Sequence, residues 1–355
     1  MKDQAIHYLG LDVHQATIVA TSRNESGAIV LKATVPTEAK AIVGLVRGQG
    51  PRVHVAFEEG TQAQWLHDLL QPVAERVIVC NVRGKKELVN KNDDIDSGLL
   101  SERLRLGSLK GVYHGAASVL ALKEMVRSYG NLVEDSTRVM QRIKAMFRAR
   151  AIPTPGTGVY GTRQRAEWMS KLKGSGVRLR AESLFAQLDA LLPLRRKAKE
   201  AMIAEARRQP AWKILRSIPF LGPVRVAQII AIVGTPFRFR GKRRFWPYIG
   251  LGVVTHSSAD KEIVAGTIRR RRRAPLTRGL NRNHNPVLKD VFKGAATAAA
   301  HKDGPLKNFY KESLDRGVDA DMALLTLARK ISSVALRLWK KGELWDPAKL
   351  TTQAT

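Results

Sequence analysis

Through the first eighty positions, apolar residues come in short stretches bounded by polar ones. IHYLGLDV, ATIVATSR and AIVLKATV follow one another closely, and VHVAFE and RVIVCNV come later. Runs of five to eight residues of this kind read as strands. Asn24, Glu25, Ser26 and Gly27 are turn residues and make a hairpin of the second and third runs. PTEAKAIVGLVRGQG predicts a helix that starts at Pro36 and Thr37 and ends at Gly48, and TQAQWLHDLLQPV predicts another. A further helix begins near Asp93 in KNDDIDSGLL. The predicted order is β-β-β-α-β-α-β-α, a mixed sheet flanked by helices, and it departs from the strict alternation of a Rossmann unit.

Beyond residue 110 the period lengthens. Leu122, Val126, Tyr129, Val133, Ser136, Met140, Ile143 and Phe147 recur at spacings of four and three, which predicts a long helix over 116–149 with a heptad seam. Three partners fit that seam: the protomer's own core, an antiparallel helix near 176–208, or another protomer. AIPTPGTGVYGT has the Pro and Gly density of a loop, and Arg178 to Arg208 reads as a second, basic helix. SIPFLGPVRVAQIIAIVG has the pattern of a helix-hairpin-helix, whose glycine-containing turn offers backbone N–H groups to a phosphate. The expected fold is therefore an α/β domain over 1–112, a helical, coiled-coil-like connector over 113–208, a mainly α domain over 209–345 and a tail over 346–355.

Charge changes this picture by dividing the chain. The formal net charge is +30, yet residues 1–110 carry 14 basic and 13 acidic side chains against 47 and 18 in residues 111–355. A polyanion is the expected partner of the second part, and chemistry belongs more naturally in the nearly neutral first part. The arginine run Arg269, Arg270, Arg271, Arg272 and Arg273, with Arg278, Arg282, Lys242, Arg243 and Arg244, marks the expected nucleic-acid surface. The single cysteine, Cys80, excludes an intrachain disulfide and cysteine-rich zinc sites. There is no apolar stretch of membrane-spanning length and no signal-peptide core, so a cytoplasmic protein is expected, without membrane partners.

Four acids supply the candidate chemistry: Asp12 in YLGLDV, Glu58 in VHVAFEEG, and Asp93 and Asp96 in KNDDIDS. An Asp inside an apolar strand costs several kcal/mol unless it is compensated. Glu58 and Glu59 point to opposite faces of a strand, so at most one of the two faces the site, Glu58 with Glu59 as its alternate. Asp93 and Asp96, three apart, share a helical face. Converging carboxylates of this kind hold Mg²⁺, or Mn²⁺ in its place, and a metal pair can stabilise both oxygens of a phosphoryl transfer.

These acids, together with IPFLGPVRVAQIIAIVG, RFWPYIGLGVVTHSSAD and FKGAATAAA, resemble the DEDD transposases of the insertion sequence 110 family, and the resemblance spans most of the chain. It implies a ribonuclease H-like, RuvC-like first domain and a Mg²⁺-dependent recombinase that excises and inserts its own element. It also implies double-stranded donor and target DNA, an element-encoded bridge RNA as guide, and a homo-oligomer, a dimer of dimers, in the prokaryotic nucleoid. By the same resemblance a serine in the second domain attacks a DNA phosphate. Ser258 stands at the family position, but Ala259 replaces the glycine that usually follows, which leaves Ser257 as the alternate. The family's Gly-Asn-Arg segment is altered here to RRRRRAPLTRGLNRNHNP. The alternative function is a RuvC-like DNA nuclease or resolvase in which activated water attacks.

Overall fold

The computed structural model describes residues 5–81, 93–114, 117–256, 261–264, 267–270, 276–348 and 350. The chain forms two compact units, Met1–His114 and Gly115–Thr355.

In the first unit, strands β1 (His7–Val13), β2 (Thr17–Arg23), β3 (Ile29–Pro36), β4 (Val53–Glu58) and β5 (Arg76–Cys80) form one sheet in the order β3-β2-β1-β4-β5. The first three run antiparallel, while β4 lies parallel to both β1 and β5. The β2–β3 hairpin turns on Gly27, whose φ of 91° suits a residue without a Cβ, and the Asn24 side chain accepts from the Ala28 amide. Helix α1 (Ala39–Arg47) starts later than the sequence pattern predicts: Pro36 instead closes β3, paired with Thr17. Proline is tolerated at a strand end because the ladder loses no donor there.

Strand alternation sends Leu9, Leu11, Ile18, Ala20, Val53, Val55 and Phe57 to one face, where they pack on Ile42 and Val46 of α1 and on Leu66 and Leu70 of α2 (Ala63–Leu70). Each of these side chains larger than alanine contributes about 1.5–3 kcal/mol by leaving water, which fixes the register of every strand. The opposite face carries Gly10, Thr21 and Ala56 and is covered by α3 (Asp93–Arg105). On α3, Ser97, Leu100, Ser101 and Leu104 recur at helical spacing and are buried.

The second unit begins with α4 (Ala117–Arg148) and continues through α5 (Arg165–Ser170) and α6 (Ser175–Arg207). Helix α4 runs antiparallel to α6. Its Leu122 and Val126 meet Met202 and Ala206, Ser136 accepts from Arg195 at 3.2 Å, and Ile143 and Phe147 meet Ala181 and Phe185. The heptad seam is thus occupied within one protomer. Arg165 of α5 forks onto Asp189 of α6, with one N–H···O bond of 2.7 Å, and lies 4.7 Å from the Phe185 ring centre.

The chain then forms α7 (Ala211–Ser217), α8 (Pro223–Val233), α9 (Lys242–Tyr248), β6 (Val253–His256), β7 (Lys261–Val264), β8 (Thr267–Arg270), β9 (Leu276–Leu280), α10 (Pro286–His301), α11 (Pro305–Asp315) and α12 (Ala320–Lys341). The turn between α7 and α8 is held from both sides. Arg216 donates to the Leu221 carbonyl at 2.6 Å and Arg225 to the Phe220 carbonyl at 2.8 Å. This region is mainly helical, as expected, but it also holds two small antiparallel ladders, β6 with β9 and β7 with β8.

Candidate active site

Strand register brings two of the sequence-predicted acids together. Leu11 and Phe57 are partners across the parallel β1–β4 pair, so Asp12 and Glu58 are the next residues on neighbouring strands. Both alternate with core residues, and both therefore lie on the face that carries Gly10 and Ala56, the face covered by α3. Asp12 is partly buried, and its Oδ2 lies 3.2 Å from His14 Nε2. Glu58 pairs in register with Cys80 on its other side.

Gly10 explains how close α3 comes. A Cβ on this residue would lie 2.2 Å from the Ser97 carbonyl oxygen and 2.5 Å from the Ser101 amide nitrogen, distances no real Cβ shows. The glycine therefore sets the helix directly on β1, two residues before Asp12 on the same face. A buried hydrogen bond of 2.9 Å between the Thr21 and Ser97 hydroxyls fixes the rotation of the helix, and Arg23 bonds Ser101 at 3.2 Å. At its far end Arg105 pairs with Glu102, the hydrogen bond holding the Glu102 carboxyl below its ordinary titration range.

Asp93 opens α3, one turn before Ser97, and Asp96 follows in the same turn. Only the backbone of Asp93 is described. An acid in a helix's first turn also complements the positive end of the helix dipole, so its presence there has a structural use as well. Among the described residues, no group of three His, Cys, Asp or Glu side chains converges on one point. The donors present in Asp12 and Glu58 are all oxygen, which suits a hard divalent cation.

Glu59 lies beyond the end of β4 and is engaged elsewhere. Its Oε2 meets His114 Nε2 at 3.0 Å, while His114 Nδ1 meets Gln64 Oε1 at 3.0 Å and the ring stacks on His67 at 5.0 Å. Cys80, buried against Phe57, has its thiol pushed up to about 11, first by burial and then by the Glu58 charge.

Ser257 and Ser258 lie outside the described residues, directly after β6. The chain before β6 makes a turn the sequence did not reveal. Gly250 has a φ of 71°, and a Cβ there would sit 2.5 Å from the His284 ring. Asn281 donates from its backbone to Gly252 at 2.9 Å and from its side chain to Pro247 at 3.1 Å, while His284 bonds the Asn281 carbonyl at 2.7 Å. The LNRNHNP segment thus folds back onto the Gly250–Gly252 turn. Among the expected nucleic-acid contacts, Lys242, Arg243 and Arg244 are exposed on α9, Arg282 is exposed, and Arg269 is exposed on β8, paired in register with Glu262. Arg270 and Arg278 lie in β8 and β9, described by backbone alone, and Arg271, Arg272 and Arg273 fall outside the described residues.

Two family comparisons bear on these features. Residues 9–150, which carry all four acids, match a transposase family of the IS110 DEDD type, and residues 212–311, which carry both serines, match the transposase IS116/IS110/IS902 family. The chain belongs to the IS110 family of transposases. Among curated relatives it is similar to an uncharacterized 44.8 kDa protein of insertion element IS116 from Streptomyces clavuligerus, 28% identical over 141 residues. That match covers 40% of this chain and 32% of the relative's length. Among the described residues of this IS110-family protein, no helix is long and apolar enough to cross a membrane.

Proposed function

We propose that this IS110-family protein is a DNA transposase that cuts and rejoins strands at a divalent-metal site made by Asp12, Glu58, Asp93 and Asp96. Ser258 is the nucleophile, with Ser257 as its alternate. The carrying observation is the placement of Asp12 beside Glu58, on the face where Gly10 lets α3 and its acidic first turn come close. When bound, Mg²⁺ or Mn²⁺ supplies positive charge to the phosphate oxygens of the reacting strand.

The protein's own part is positional. Asp12 and Glu58 would hold the metal from two neighbouring strands, and Asp93 and Asp96 would complete the site from the first turn of α3. The serine hydroxyl attacks the scissile phosphorus, a sugar oxygen leaves with a proton, and a phosphoserine–DNA ester remains until a hydroxyl of the exchange strand displaces it. His14, 3.2 Å from Asp12, orients that carboxylate. The exposed cations Lys242, Arg243, Arg244, Arg269 and Arg282 grip phosphates.

The excess charge of residues 111–355 supports a grip on both DNA and a guide RNA. It fits the working division into a RuvC-like catalytic domain over 1–112, a coiled-coil-like connector over 113–208 and a serine-bearing domain with a helix-hairpin-helix over 209–345. The active form on this reading is a homo-oligomer, a dimer of dimers, in the cytoplasm at the nucleoid.

The test is a denaturing gel of the full chain with labelled element-end DNA and Mg²⁺. A protein–DNA adduct is expected in wild type, absent in Ser258→Ala and retained in Ser257→Ala. Free DNA ends without any adduct would favour hydrolysis by water, the resolvase alternative. Sequencing of RNA that co-purifies with the protein tests the guide.

A further inference from the structure

A second site lies wholly within residues 115–355. A cavity of about 520 Å³ opens between the start of α9, the length of α12 and Phe309 of α11. Seven of its fourteen lining residues are Lys or Arg, and none is Asp or Glu. Among the described residues no carboxylate pairs with Arg329, Lys330, Arg337 or Lys340; those that bond at all bond to backbone carbonyls. Arg329 donates to Leu251 at 2.7 Å, Lys330 to Leu350 at 3.1 Å and Lys340 to Phe239 at 2.5 Å. Carbonyl oxygens bear only partial charge, so these four cations have no carboxylate to compensate them, whereas Lys341 pairs with Glu343 at 3.7 Å.

The electrostatics of this wall point to a missing anion. The cations also crowd one another: burial first, then the charges of Arg337 and Lys242, pull Lys330 below its ordinary range, and burial does the same to Arg329. An anion in the cavity relieves this crowding.

The aromatic wall identifies the class of anion. Two cations lie near Trp246, Lys242 Nζ at 5.8 Å and the Arg329 guanidinium carbon at 5.6 Å from its ring centre, and Lys330 Nζ sits 5.5 Å from the Phe309 ring. Cations alternating with aromatic faces are how proteins hold single-stranded nucleic acid, the rings stacking on bases and the cations meeting phosphates. The volume is in the range of small-ligand pockets, about 300–1,000 Å³, and suits one nucleotide.

We propose that this cavity binds a nucleotide of single-stranded nucleic acid, its base against Trp246 and its phosphate on Arg337, Lys330 and Arg329. The metal-site acids take no part. Asp12→Asn is expected to bind as wild type does, so failure of this proposal and failure of the catalytic one are separately visible.

The experiment is fluorescence anisotropy of labelled twelve-residue oligothymidylate and oligouridylate with the full chain, at several salt concentrations. Arg337→Met and Lys330→Met are expected to weaken binding about tenfold and to reduce the salt slope by about 0.7, one phosphate contact on a single strand. Trp246→Leu is expected to weaken it at least fivefold with the salt slope unchanged, since stacking releases no counterion. Arg196→Met, which removes an exposed cation on α6, controls for net charge and is expected to cost less than twofold. Thermal melts establish that each variant folds, and Trp246→Phe, which keeps a stacking face, should keep most of the binding. A preference for one oligomer identifies DNA or RNA as the natural occupant. If the three cavity variants lose no more than Arg196→Met, the proposal is overturned. If Trp246→Leu alone binds as wild type while the cation variants weaken, the cavity takes phosphate without a base and the stated ligand is wrong.

Discussion

Replacing Gly10 by alanine tests whether contact between α3 and β1 builds the site. The added methyl would lie 2.2 Å from the Ser97 carbonyl oxygen, 2.5 Å from the Ser101 nitrogen and 3.0 Å from the Leu100 Cβ. Two of these are backbone atoms, which cannot rotate aside. Restoring ordinary contact of about 3.5 Å requires the helix to withdraw by roughly 1 Å. Overpacking of this kind costs about 1–3 kcal/mol, and the buried Thr21–Ser97 hydrogen bond, stretched by the same movement, adds about 1 kcal/mol. Gly10→Ala should therefore lose about 2–4 kcal/mol in urea denaturation. It should also lose about 100-fold in strand cleavage under conditions where it is still folded, because the first turn of α3 moves relative to Asp12. Gly44→Ala is the control: it is a helical glycine whose Cβ would meet nothing within 4 Å, and it should stabilise the protein by about 0.5–1 kcal/mol. If Gly10→Ala melts with wild type and cuts at the same rate, α3 is not set by this contact and the reasoning fails.

Three more outcomes are expected. Glu58→Gln should abolish strand cleavage, whereas Glu59→Gln, which loses only its partner His114, should cut nearly as well as wild type; the reverse pattern would transfer the ligand role to Glu59. Cys80, with its thiol near 11, carries about one-hundredth of an ordinary thiol's thiolate at pH 8, so maleimide should label it slowly until urea unfolds the protein. Rapid labelling of the folded chain would contradict its burial. The Arg165 hydrogen bond holds Asp189 below the ordinary carboxylate range, so the pair's stabilisation is present above pH 4 and is lost as pH falls through the depressed value. Asp189 is 40% exposed, which screens the pair to about 0.2–1 kcal/mol, and an Asp189→Asn deficit that stayed constant down to pH 2.5 would refute it.

The sequence made some features legible because they rest on local pattern. The alternation around Asp12 and Glu58 is a strand signal, and Leu122 to Phe147 is a helix signal whose partner, α6, is one of the three that fit its seam. The start of α1 was misread because Pro36 suits a strand end as well as a helix start. The role of Gly10 was hidden because its reason, Ser97, is 87 positions away. The β6–β9 and β7–β8 ladders were hidden because strands of four or five residues among arginines carry little periodicity. Asn281 and His284 looked like further polar residues in a basic run, since only the folded chain shows the Gly250 turn they support.

The sheet order has a consequence for how the molecule breathes. Strand β1 is central, hydrogen-bonded on one side to β2 and on the other to β4, while β3 is an edge with Ile29 and Val30 exposed. Edge strands fray at little cost, but a central strand releases its amides only when the whole unit opens. The amides around Asp12 should thus be among the slowest in the first unit to exchange with deuterium. The carboxylate is mounted on the part of the fold that thermal motion disturbs least, which keeps its position independent of loop movement when a large polyanion docks and departs.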